Sequence, residues 1–178
     1  YKYDNSEGFD KLVALGELID AKRQQRRAEV SRANSYINLD SSINSSDPIK
    51  VADNNIVIAQ RELAMAKEFN DIEAQNNAQA KLNEAIKARQ QAVNAARLAG
   101  MDLRKAELEA MQDDIGAAEM DVAMLQQQLQ DALKLGAPQN GAEVRNLRAQ
   151  ITRAQTAAAD TRYNEAKQDY AWQYNICL

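Results

Sequence analysis

A chain of 178 residues with 45% hydrophobic content is long enough for one compact domain, but 32 of its residues are Ala, and Leu, Ile, Val and Phe together make up about a fifth of it. Gly (6), Pro (2), Val (7) and Thr (3) are all scarce, which removes the residues that build strands and hairpin turns and excludes an all-β or α/β fold. With no His, one Cys and a net charge of −4, the chain lacks the commonest general base and metal ligand, any intrachain disulfide, and the charge balance of a protein that coats nucleic acid.

The chain begins at Tyr1 rather than Met, so a processed product or a part of a longer polypeptide is expected, and the N-terminus says nothing of localisation. Residues 1–38 read as an N-terminal helix, with Phe9, Leu12, Val13, Leu15, Ile19, Val30, Ala33 and Ile37 at helical spacing. Its middle is basic: Lys22, Arg23, Arg26, Arg27 and Arg32 fall within eleven positions. The pairs 22/26 and 23/27 stack on adjacent rows of a helix and make one positive stripe. That stripe is a candidate phosphate or DNA contact. The competing reading pairs it with the acidic segment 101–135, which holds eight carboxylates against three cations.

Residues 39–48 are rich in Ser and Asn and read as a polar linker ending in Asp47-Pro48, an N-cap followed by Pro at the first helical position. Residues 49–135 then read as one long helix, interrupted only by Gly100 and Gly116, with a hinge or stutter near Gly100 where the apolar stripe changes phase. Beyond it Leu108, Ile115, Val122 and Leu129 occupy one heptad position and Met111, Ala118, Leu125 and Ala132 the other, a coiled-coil seam. Residues 136–141 (GAPQNG) form a turn, with Gly136 at a helix end, Pro138 against continuation, and Asn140 with Glu143 as a capping box.

Residues 142–178 read as a return helix that carries the seam on through Val144, Leu147 and Ile151 and ends in Tyr163, Tyr170, Trp172 and Tyr174. These aromatics are a candidate partner-docking surface, as Trp and Tyr dominate interface hot spots. Tyr1, Tyr3 and Phe9 form the other aromatic end. The expected fold is all-α: an elongated long-helix and coiled-coil assembly with a C-terminal antiparallel helical hairpin. Its seam consists of Leu108, Met111, Ile115, Val122, Leu125, Leu129, Leu147 and Ile151.

Stretches such as AQNNAQAKLNEAIKARQQAVNAARLAG from Ala74 to Gly100 resemble, in composition and periodicity, the helical internal and ejection proteins of short-tailed bacteriophages. The resemblance implies a virion core or conduit component, with the stripe at Lys22 to Arg32 facing packaged or passing DNA, and a virion interior as the location. The alternative is a secreted or periplasmic interaction factor of a bacterial secretion system, similar in Ala and Gln content to translocator coiled coils and pilus-tip subunits. Neither reading needs an active site. The chain shows no nucleophile and base pairing, no Gly-rich phosphate loop and no metal constellation, so no enzyme activity and no cofactor is expected. Amides near the seam, with so little large apolar surface to bury, point to a homo-oligomer or larger assembly. No apolar run approaches the roughly 20 residues of a membrane span.

Overall fold

A computed structural model of the chain describes the backbone of residues 6–176 and the side chains of residues 8–174. Tyr1, Tyr3 and Cys177 lie outside the described residues. The described chain is all-helical: α1 (Ser6–Ile43), α2 (Pro48–Glu68), α3 (Ile72–Ala110), α4 (Asp114–Lys134) and α5 (Ala142–Ile176). It divides into two units, residues 1–92 and 93–178, so that α3 gives its first half to one and its second half to the other.

The single helix expected over residues 49–135 does not form, because two tight turns break it at positions that carry neither Gly nor Pro. At the first, the Asp71 N–H donates to the Ala66 carbonyl (2.9 Å) and the Asn70 N–H to that of Lys67 (3.1 Å). At the second, Asp113 N–H donates to Leu108 (2.9 Å) and Gln112 N–H to Glu109 (3.0 Å). This paired closure satisfies the last carbonyls of a helix and needs one residue in the left-handed region. Asn70 (φ 53°) and Gln112 (φ 60°) supply it, as Gly136 (φ 93°) does after α4. Asp71 and Asp113 then cap the following helices: their carboxylates accept from Ala74 N–H (3.0 Å) and Gly116 N–H (2.7 Å). One Asp thus closes one helix and opens the next, so each connection needs only three residues.

Gly100, the expected hinge, lies inside α3. Gly116 sits in the first turn of α4, where a Cβ would collide with the Asp113 carboxylate; it makes room for a cap. Asp47 does cap α2, accepting from Ile49 and Lys50 N–H at 3.1 and 3.0 Å, with Pro48 as first helical residue. The linker before it is shorter than 39–48, since α1 continues to Ile43 and only Asn44 to Ser46 turn. At the start of α5, Gly141 rather than Asn140 precedes the first helical residue, its carbonyl accepting from Arg145 N–H (3.0 Å).

In the first unit α1 runs antiparallel to α2, with Arg26 beside Glu68 at one end and Asp40 beside Asn54 at the other. Likewise α2 runs antiparallel to α3 through Glu62–Lys81 (2.7 Å) and Asp53–Arg89. In the second unit α3 meets α4 through Lys105–Asp121 (2.8 Å) and Arg97–Asp131 (3.7 Å), and α4 meets α5 through Glu119–Arg162. The buried apolar side chains are Val30, Ala52, Ala59, Leu63, Ala66, Ala78, Ala85, Ala117, Val144 and Ala158. Seven of these ten are Ala, which lets helices approach closely but buries little area per residue.

The expected four-heptad seam is therefore divided. Leu108 lies on α3, Ile115, Val122, Leu125 and Leu129 on α4, and Leu147 and Ile151 on α5, all half-buried. Met111 is the first residue of the turn after α3 and is 69% exposed. Heptad spacing survives a three-residue turn between antiparallel helices, so period alone did not reveal the break. The change of phase has a different origin from a hinge. Ala78 and Ala85 are buried a heptad apart in the first unit, and Asn94, Met101 and Leu108 form a second, offset heptad set in the other.

Polar hubs fix these thin contacts. Asp131, buried, accepts from Gln127 Nε2 of its own helix (2.9 Å) and lies 3.7 Å from Arg97 of α3, while its Oδ2 has no hydrogen-bond partner. Asp40 accepts from Asn54 Nδ2 (2.8 Å) and Asn44 Nδ2 (3.0 Å) and lies 3.4 Å from Lys50 Nζ. The Asn54 hydrogen bond, aided by Lys50 and Asn44 and opposed by burial, holds the Asp40 carboxyl below its ordinary value. A carboxyl lowered on folding stabilises fully above its unfolded pKa, and that contribution disappears as pH falls through the folded value. Asp40→Asn is expected to flatten the acid limb of stability below about pH 4, measured by urea unfolding across pH; an unchanged limb would contradict this role. Gln112→Gly, which removes a side chain from a left-handed residue, is expected to raise stability by about 1 kcal/mol in the same assay, and a loss would refute the turn assignment.

Candidate functional site

The longest uncovered surface belongs to α1. Its contact with α2 ends where Arg26 Nε donates to Glu68 (3.1 Å) and the Arg23 guanidinium lies 5.8 Å from the centre of the Phe69 ring. Towards the N-terminus, residues 8–22 of α1 are all exposed, including Phe9 (67%), Leu12 (68%), Val13, Leu15, Leu18 and Ile19. At 3.6 residues per turn Phe9, Leu12, Gly16 and Ile19 fall on the same side as Arg23, Val30, Asn34 and Ile37. That side faces the first unit further along, where Val30 is buried and Asn34 and Ile37 half-buried. The packing face of α1 therefore outruns its partner by roughly 20 Å.

The basic residues sit where this arm leaves the unit, and they are not one uniform stripe. Arg26 bonds both Glu29 and Glu68, contacts that raise its pKa further above the ordinary arginine value. Arg23 lies over Phe69, Arg27 lines a groove, and Lys22 and Arg32 are exposed. Within the second unit, carboxylates of the acidic segment 101–135 pair with Arg97, Arg104, Lys105 and Arg162. The pairing is local because each unit's helices neutralise their nearest antiparallel neighbours.

The C-terminal aromatics do not form one patch. On α5, Tyr163, Tyr170 and Tyr174 line one side, at spacings of seven and four. Trp172 falls nearly opposite, on the side that carries Val144, Leu147 and Ile151 further up the helix. All four are exposed, and Trp172 is 68% so. Asp114, the first residue of α4, and Gln168 line the same cleft, so α5 passes the end of α4 after Gln168 and carries Tyr170, Trp172 and Tyr174 beyond it.

Two features were not singled out in the sequence. Leu18 joins the exposed apolar set of α1. A groove of about 680 Å³ runs between α1, α2 and α3, lined by Ser31, Asn34, Asn38, Asn55 and Asn77 together with Val30, Met65 and Phe69. Asn34 Oδ1 is buried there with no hydrogen-bond partner. The signal was present: amides at 34 and 38 continue a face that is apolar before them, and small polar side chains on a packing face leave a trough. Among the described residues no group of three or more His, Cys, Asp or Glu is placed to hold a metal ion, and no helix is long and apolar enough to cross a membrane.

Trp172 is the only Trp of the chain, so its fluorescence reports on the end of α5 alone. In dilute solution its emission is expected to lie at the wavelength of a water-exposed indole and to be quenched efficiently by acrylamide. A blue-shifted, protected Trp172 at the lowest concentrations would contradict the exposed placement.

No protein-family model matches the chain, and no curated protein or solved structure matches it either. The functional reading rests on the residues and geometry described above.

Proposed function

We propose that this chain is a non-enzymatic structural subunit that packs with copies of itself, or with partner helices, inside a larger assembly. One observation carries the reading. Buried positions are mostly Ala, while Phe9, Leu12, Leu15, Leu18, Tyr170 and Trp172 stay more than half exposed on stretches of helix that outrun their neighbours. Large exposed apolar patches mark interaction surfaces, and helices joined by Ala and amides draw little stability from their own contacts. Sedimentation velocity on the purified chain tests this. A discrete oligomer that forms with rising concentration is expected; a monomer at every concentration would contradict packing with copies of itself.

Within that class we place the chain with the internal, DNA-proximal proteins of the virion type. The supporting observation is the set of exposed cations at the root of the α1 arm. Lys22→Gln/Arg27→Gln/Arg32→Gln spares the contacts of Arg26 with Glu68 and of Arg23 with Phe69. This triple variant is expected to lower the salt-dependence slope of duplex binding by roughly 2 to 3. An unchanged slope would remove DNA from the account and leave the secretion-system alternative, for which the exposed Trp172 is the anchor to test.

A further inference from the structure

We infer that the groove between α1, α2 and α3 is a docking site for an extended, uncharged peptide segment of a partner protein, held through its main chain by the amides of Asn34 and Asn38. The inference goes beyond the assembly reading and does not depend on it, since it concerns a different surface and a different kind of partner.

The walls of the groove carry side chains that hydrogen-bond rather than pack. Ser31, Asn34, Ser35 and Asn38 line it from α1, and Asn77 lines it from α3. Between these walls runs α2, which pairs with both helices. Its half-buried Ile58 and Met65 form an apolar floor together with Phe69. Elsewhere in the chain, amides at helix contacts close onto carboxylates, as Asn54 does on Asp40 and Gln127 on Asp131. Asn34 Oδ1 instead is shut in with no hydrogen-bond partner. Nothing rewards that inward setting, and the last torsion of an Asn side chain is soft. Turning the amide outward to meet a donor in the groove therefore gains a hydrogen bond at little cost.

The spacing selects an extended chain. One turn of helix sets Asn34 and Asn38 about 6 Å apart. In an extended peptide the N–H and C=O of one residue point to the same side, and the next such pair on that side follows two residues on, about 6.6 Å away. A side-chain amide offers both a donor and an acceptor and matches one such pair. Asn34 and Asn38 thus take alternate residues of the peptide, and the residue between them turns its own pair towards Asn77 on the facing wall. Peptide side chains then alternate between the apolar floor and solvent. From Arg27 to Asn38 the wall of α1 rises about 16 Å, room for about five extended residues.

Charge and bonding exclude the other occupants. Arg27 and Lys81 are balanced on the lining by Glu62 and Asp71, and Glu62 is already paired with Lys81 at 2.7 Å. A phosphate-bearing partner finds no net positive field there. A helix keeps its main-chain groups bonded within itself, so its apolar seam would leave the amides of both walls unmet.

The test selects displayed random heptapeptides on the full chain and titrates the chosen sequences, synthesised with blocked ends, by calorimetry. Uncharged peptides with apolar residues at alternate positions are expected. Methylating alternate main-chain nitrogens of the peptide should weaken binding by about tenfold or more, and so should Asn34→Ala/Asn38→Ala. Ser35→Trp, at an exposed wall position, fills the groove and should abolish binding. Asn34→Ala alone is expected to leave Tm unchanged or raised, because it deletes an acceptor that has no partner; a lowered Tm would make Asn34 a structural residue and overturn the assignment. Binding indifferent to nitrogen methylation, or selected peptides with apolar residues three and four apart, would overturn the extended mode. Failure to find any binder that Ser35→Trp blocks would overturn the site itself. None of these variants touches the α1 arm or the tip of α5, so the sedimentation behaviour that tests the assembly reading should stay as in the parent chain.

Discussion

The fully buried apolar positions of this protein are mostly alanines, and most of its other properties follow from that. An Ala-lined contact brings two backbones close and makes good van der Waals use of a small surface, but each methyl group removes little area from water. In the first unit the fully buried apolar side chains are Ala52, Ala59, Ala66, Ala78 and Ala85 with Val30 and Leu63, and larger ones such as Ile58 and Met65 are only half-buried. In the second they are Ala117, Ala158 and Val144, with Ile115, Val122, Leu125 and Leu129 half-buried. Stability and specificity must then come from elsewhere. Helix ends closed at both sides by hydrogen bonds supply part of it, and polar hubs at fixed points supply the rest.

Those hubs explain how contacts with so little shape information hold their register. An Ala seam can slide by a turn at small cost, whereas the contacts that cross between helices, Asp40 with Asn54 and Asp131 with Arg97, hold in one alignment only. Exposed pairs such as Arg104–Glu107 add little in water. The turns act in the same sense. Asp71 and Asp113 each take part in ending one helix and starting the next, which leaves the chain almost no freedom at the corner. What remains uncommitted is the large apolar surface at the arm of α1 and the tip of α5, and that surface is where a second chain would gain most.

The helical class and the cap at Asp47 were legible in the sequence, because composition and local capping chemistry act over a few residues. The corners at Asn70-Asp71 and Gln112-Asp113 were not. Neither Asn70 nor Gln112 is the Gly that usually marks a left-handed residue, and the heptad spacing of Leu108, Ile115 and Val122 runs through the second corner as if the helix were continuous. A capping Asp before Ile72, or before Asp114-Ile115, was the signal available. The basic stripe was legible as a run of charges but not as a set of partners, since the choice of Glu68 and Phe69 depends on where α2 ends. The aromatic residues of α5 were legible as a cluster along the chain; on the helix they separate into a Tyr face and Trp172 on the other side.

Amide hydrogen exchange on the full chain, followed at low and at high protein concentration, tests most directly the claim that interior Ala contacts leave the helix ends to be covered by other chains. The account predicts fast exchange in residues 8–22 of α1 and in α5 beyond Gln168 when the chain is dilute, with protection rising as concentration increases, while α2 and α4 change little. Protection of the α1 arm equal to that of α2 at every concentration would show that the arm is covered within one chain, and would contradict the account.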